Sequence, residues 1–291
     1  MFKGVATSLL ASILFGYMYY FSTLLQPLSG EGIFGYRIIF TMPFIYAAII
    51  LFKQKQQFIA RLIQLKQRPA LLLIYILCSG IIGFQMWLFL WAPNNGSAIS
   101  TSFGYLLLPL VLVVIARIIF KEQITKIKML AVAIAATGVI SNIIIKGGFS
   151  WESIVVCIGY TIYFSVRKYF KIADLSSFCI EMTLLLPVCI YFARQVDFNQ
   201  IQQHNEHILY LLPVLGLISG TALIAYILAS VMLPMNLLGL LGYVETILMV
   251  VISFFIGEKV DAESYPLFIC LSIAMMLIII DGIYRTLHKK T

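Results

Sequence analysis

Residues 91–122 read WAPNNGSAISTSFGYLLLPLVLVVIARIIFKE, and residues 232–258 read MLPMNLLGLLGYVETILMVVISFFIGE. Each stretch has a polar break, a Gly-Tyr pair (Gly104-Tyr105; Gly242-Tyr243), a long apolar run and a closing glutamate (Glu122; Glu258). A pattern met twice in one chain points to an internal repeat. Each apolar run is also near the ~20 residues that a helix needs to cross hydrocarbon.

The rest of the chain has the same character. It is 62% hydrophobic and only 11% charged, with mean hydropathy +1.00. A soluble domain is nearer half apolar and a quarter charged, so this chain cannot clothe a water-facing surface. Ten apolar runs have spanning length: roughly 4–25, 32–52, 70–91, 97–120, 127–145, 151–168, 176–194, 208–231, 236–256 and 264–284. The runs are continuous and not alternating, which excludes a transmembrane barrel. The fold expected is an all-α integral membrane protein with ten transmembrane helices.

The formal net charge is +8, but its placement argues against nucleic acid as a partner. With the N-terminus inside, every Lys and Arg falls in an inner segment except Arg37, Lys146, Arg194 and Lys259. That is the positive-inside pattern, which puts both termini in the cytoplasm and makes membrane lipids the partner of the basic loops. The basic stretch 53–69 is amphipathic and is expected along the inner surface. All five cysteines lie inside apolar runs and read as packing residues.

If 91–122 holds helices 3 and 4, and 232–258 holds helices 8 and 9, the repeat is five helices long. An odd number of crossings turns the second copy upside down. Residues 1–146 and 147–291 are then two inverted five-helix repeats of one membrane domain. Secondary transporters are built this way, with the site between the copies near the midplane.

Arg37, Glu181 and Glu245 are the ionisable residues placed most clearly inside spans. A charge at membrane depth costs ~2.5 kcal/mol or more, so such residues face a cavity or a partner. Glu245 lies deepest, near the middle of helix 9. It is either a cavity acid suited to proton coupling or a structural hydrogen-bond partner of a neighbouring helix. Arg37 either snorkels to the interface or meets an anionic substrate group or Glu245. Glu181 is a second proton-coupling candidate, or an inner gate, or a structural partner of Arg167 or Lys168. Trp87, Tyr105, Tyr163, Tyr226 and Tyr243 are candidates for an aromatic cavity wall, and Asn95 stands in the polar turn before helix 4; interfacial belts use the same aromatic residues.

His204, His207, Glu206 and Asp197 lack the spacing of a metal site, and no metal or cofactor is expected. The HExxH, GxSxG and GxxxxGK[ST] motifs are absent. A membrane-embedded lipid-modifying enzyme is the alternative reading, disfavoured by that missing catalytic set.

Trp91-Ala92-Pro93-Asn94-Asn95, Gly104-Tyr105 through Pro109, Ser165-Val166-Arg167-Lys168, Ile180-Glu181 through Leu186-Pro187, Gly242-Tyr243-Val244-Glu245, Gly257-Glu258 and Asp281-Gly282-Ile283-Tyr284 run in order over nearly the whole chain. In these the chain resembles the drug/metabolite transporter superfamily with its EamA-type repeat, and more closely the RarD-like branch. The resemblance implies a 5+5 inverted arrangement around a central cavity, with helices 5 and 10 packed outside it. It also implies export or exchange of small metabolites, amino-acid-like compounds or drugs across a bacterial inner membrane, as a monomer or homodimer. Chloramphenicol resistance goes with the branch name. Thr246 departs from the pattern, since proline is expected after Glu245.

Overall fold

The computed structural model describes residues 2–119, 121, 124–233 and 235–288. Among these every regular element is helical. In chain order the α-helices are α1 (Phe2–Phe21), α2 (Gly30–Leu51), α3 (Lys55–Gln67), α4 (Ala70–Trp91), α5 (Ala98–Ile118), α6 (Lys126–Lys146), α7 (Trp151–Tyr169), α8 (Leu175–Arg194), α9 (Phe198–His204), α10 (Ile208–Met232), α11 (Met235–Phe255) and α12 (Tyr265–His288). Among the described residues, eight segments are long and apolar enough to cross a membrane: those built on α1, α2, α4, α5, α6, α8, α10 and α12. The chain is a multi-pass membrane protein. In α11 the stretch Leu241–Phe255 forms a shorter apolar helix, and α7 carries Glu152, Arg167 and Lys168.

Polar side chains set the helix starts. Ser29, Thr125, Ser150 and Asp174 each accept a backbone N–H of the first turn of α2, α6, α7 and α8, satisfying donors that the helix itself leaves open. Asp197 does the same for α9. Proline is tolerated inside α2, α5, α8 and α10, and α5 runs on through Pro109. Thr246 is buried in α11, which continues past it.

The two ends of the bundle can be named by their short helices. At the α9 end, Gln26 bonds Asn94 at 2.9 Å, and Asn205 bonds the carbonyls of Leu24 and Gln26, both at 2.9 Å. At the α3 end, Arg61 reaches across to Asp174 at 2.7 Å.

Between the ends, the principal contacts are α1 with α10 and α11, α7 with α4 and α5, α10 with α2, α4 with α8, and the pairs α2–α8, α5–α11 and α6–α12. Small residues permit the closest of these. A Cβ built on Gly216 would lie 2.2 Å from Phe40, and one on Gly220 would lie 2.2 Å from Phe44. The GxxxG spacing on α10 is therefore the seat of α2, in line with small-residue packing in membranes. Ala131, Ala135 and Gly138 likewise face inward on α6, whereas Ala136 is exposed.

Candidate functional site

A cavity of about 170 Å³ lies inside the bundle. Its walls come from α1, α2, α4, α5, α7, α8, α10 and α11; no lining residue belongs to α6 or α12. Its polar groups are Arg37 and Thr41 on α2, Tyr105 on α5, Tyr160 on α7, Ser219 on α10 and Glu245 on α11. Phe15, Phe89, Phe178 and Met182 are among its apolar walls. Arg37 lies ~10 Å along α2 from Gly30, and Glu245 ~15 Å along α11 from Met235, at 1.5 Å per residue.

Arg37 does not snorkel. It is only 5% exposed. Its Nε donates to Ser219 Oγ at 3.2 Å, and its guanidinium carbon stands 5.6 Å from the centre of the Phe89 ring. Its Nη1 and the Thr41 hydroxyl have no hydrogen-bond partner. A buried charged donor left unpaired costs more than the ~1–3 kcal/mol of a neutral one. Glu245 lines the same cavity, but no ion pair within 4.0 Å joins it to Arg37. The Tyr105 and Tyr160 hydroxyls meet at 3.1 Å. The site thus joins a guanidinium, a carboxyl and two phenols in an otherwise apolar chamber. Such a chamber can bind a small amphipathic solute through opposite charges at its two poles.

Of the residues singled out from the sequence, Arg37, Tyr105 and Glu245 line this cavity. The structure places the others elsewhere. Trp87 donates its indole N–H to Glu31 at 3.2 Å. Asn95 is exposed and bonds the Trp91 carbonyl at 2.7 Å. Tyr226 is 45% exposed, on the α10 face of Ser219 and Leu223 but a turn nearer the α3 end. Tyr243 is buried with residues of α6 and α12. Helix geometry accounts for it: two residues apart on α11 means ~200° of rotation, so Tyr243 and Glu245 cannot face one cavity. Thr41, Tyr160 and Ser219 also line the cavity and were not singled out from the sequence. Ser219 sits inside the Gly216–Gly220 spacing, which carried a readable signal for packing and none for a solute contact.

Tyr163 belongs to a second charged cluster, nearer the α3 end. Its hydroxyl donates to Glu181 Oε2 at 2.7 Å and accepts from Arg167. Arg167 also stands 3.5 Å from Glu181 Oε1 and donates to the carbonyls of Ile172 and Asp174. Ser79 donates to the Glu181 carbonyl at 2.8 Å. Of the roles open to Glu181, partner of Arg167 is the one this geometry displays.

At the α9 end hydrogen bonds tie neighbouring segments together. Glu258 accepts from the backbone N–H of Ala98 at 2.8 Å and of Ile99 at 2.7 Å, across from α11 to the start of α5. Glu258 is a half-buried cap, favoured by the partial positive charge of a helix N-terminus. Tyr19 donates to the Ala98 carbonyl at 3.0 Å. Glu122, its counterpart in the other stretch, lies outside the described residues.

Comparison with known proteins fits this arrangement. The model of the EamA-like transporter family matches residues 2–144. An uncharacterized transporter of Haemophilus influenzae is 64% identical, over 100% of this chain and 97% of its own. The chloramphenicol-sensitive protein RarD of Pseudomonas aeruginosa is 33% identical, over 94% and 93%. The chain belongs to the EamA-like transporter family, in its RarD-like branch. One solved crystal structure shares the fold of this RarD-like transporter, with a TM-score of 0.56 over 96% of each chain at 14% identity. In the RarD-like transporter, then, the cavity of Arg37 and Glu245 is the candidate path for a solute.

Proposed function

We propose that the protein is a secondary transporter that moves a small amphipathic solute by alternating access, with Arg37 and Glu245 as the polar poles of the site. The observation that carries this reading is the cavity whose walls come from both halves of the chain, with a buried guanidinium and a carboxyl in it. Exchanging α1 with α7, α2 with α8, α4 with α10, α5 with α11 and α6 with α12 maps the principal helix contacts onto themselves. That supports ten crossings in two inverted repeats, residues 1–146 and 147–291, rocking about a shared site. The positive-inside pattern supports a bacterial inner membrane with both termini, and the α3 end, cytoplasmic.

The cavity is smaller than the ~300–1,000 Å³ of drug-sized pockets. It therefore favours an amino-acid-sized solute, with its carboxylate on Arg37 and any ammonium toward Glu245, over a larger drug. Glu245 is the candidate proton carrier.

The test is reconstitution into liposomes with a panel of L-amino acids and chloramphenicol, with and without a pH gradient. Saturable flux of a zwitterion that responds to the gradient is expected, and Glu245→Gln is expected to abolish the response to pH. Full, pH-dependent flux in Glu245→Gln would end the coupling role. Chemical turnover without flux would favour an enzyme.

A further inference from the structure

We propose that α3 docks on the anionic phospholipid headgroups of the leaflet it lies in, and that Arg61 passes this contact to the wall of the cavity. The proposal rests on the placement of the α3 end at the cytoplasmic leaflet given above.

At 100° per residue α3 divides into three arcs. Phe58 and Leu65 pack against the helical core, with Arg61 beside them, ~40° from Leu65 around the helix. Gln56, Gln57, Ala60, Gln64 and Gln67 form a second arc, uncharged and polar but for one alanine. The third arc holds Ile59, Leu62 and Ile63, all exposed, together with Lys55 and Lys66. Aliphatic side chains at the acyl boundary with lysines reaching to the headgroups are what an interfacial helix presents to an anionic surface. Residues 53–68 carry five basic side chains and no acidic one. The corresponding connection in the other half, 195–207, has no Lys or Arg and carries Asp197 and Glu206. The charge complementarity is therefore specific to the α3 end.

The contact does not stop at the surface. Arg61 Nη2 donates to Asp174 Oδ2 at 2.7 Å and to the Lys171 carbonyl at 2.8 Å. Asp174 caps α8 through Ser177 N–H at 2.8 Å, and its carbonyl accepts from Arg167 at 2.9 Å. Arg167 continues to Tyr163 and Glu181. Phe178 and Met182 of α8 line the solute cavity. Hydrogen bonds thus lead from α3 through Asp174, Arg167 and Tyr163 to Glu181, the chain neighbour of cavity-lining Met182.

The experiment is amide hydrogen exchange on the whole protein in nanodiscs of phosphatidylcholine, alone or mixed with phosphatidylglycerol. Phosphatidylglycerol is expected to slow exchange in 55–67 and in 175–182. Lys55→Gln and Lys66→Gln should each weaken the headgroup contact about fivefold, the worth of one basic residue at an anionic surface. Arg61→Gln should keep the slowing in 55–67 and lose it in 175–182, and Arg61→Lys, which keeps the charge beside Asp174, should restore it. Equal exchange of 55–67 in the two lipids would overturn the docking. Slowing of 175–182 that survives Arg61→Gln would overturn the coupling. Solute flux takes no part in the readout, so a failure of the transport reading is seen separately.

Discussion

Two arginine–glutamate combinations lie inside the bundle, and they are built differently. Arg167 and Glu181 are closed on each other, with Tyr163, two backbone carbonyls and a 3.5 Å ion pair around them. Arg37 and Glu245 share a cavity, yet Arg37 makes one hydrogen bond, to Ser219, and keeps Nη1 without a partner. The first arrangement holds α7 to α8. The second leaves a buried donor with bonding capacity, which the proposed function assigns to a solute. The two differ in how far the guanidinium is satisfied: Arg167 donates to Tyr163 and two carbonyls, Arg37 to Ser219 alone.

Substitutions can break that comparison. The largest effect is expected from Arg167→Leu, which leaves Glu181 buried and uncompensated; a loss of roughly 3–5 kcal/mol should be seen in chemical unfolding in detergent. Arg37→Leu should do the reverse. Its unfolding curve should stay close to the parent, while zwitterion binding, followed by scintillation proximity, should fall about 10–100-fold, the worth of a hydrogen bond to a charged group. If both variants lost stability alike, the contrast between the two pairs would be gone.

The tyrosines sharpen the same point. Tyr163→Phe removes bonds to two charged groups and should cost roughly 1.5–3 kcal/mol of stability. Tyr160→Phe removes only the bond to Tyr105, so a smaller change of about 0.5–1.5 kcal/mol is expected, seen in solute affinity more than in unfolding. A larger stability loss in Tyr160→Phe than in Tyr163→Phe would reverse the assignment.

Much of this was legible in the sequence. Eight of the ten expected spans were, because hydrocarbon length and the cost of charge leave few choices, and Arg37 and Glu245 stood out by depth alone. Direction around each helix was not. Tyr243 looked equivalent to Tyr105 by its Gly-Tyr motif, but only the neighbours of α11 decide which face meets the cavity. Tyr163 looked like cavity wall because its partners, Arg167 and Glu181, lie on different helices whose approach no local pattern encodes. The amphipathic α3 was readable from its own composition, whereas α9, a two-turn helix capped by Asp197, was hidden in a polar connection. The cap by Glu258 had no sequence signal on its donor side, since backbone N–H groups look alike at every residue.

That last feature has an evolutionary side. The clasp at the α9 end sets one mutable side chain against two main-chain donors at Ala98 and Ile99. Side-chain drift at 98 and 99 leaves the donors in place unless proline enters there, which would delete one of them. The strength of this closure is therefore open to selection at Glu258 far more than at its partners: shortening it to Asp or neutralising it to Gln grades the hold without altering α5. Relatives that differ in how readily this end opens are expected to differ first at the acid and last at the helix it grips.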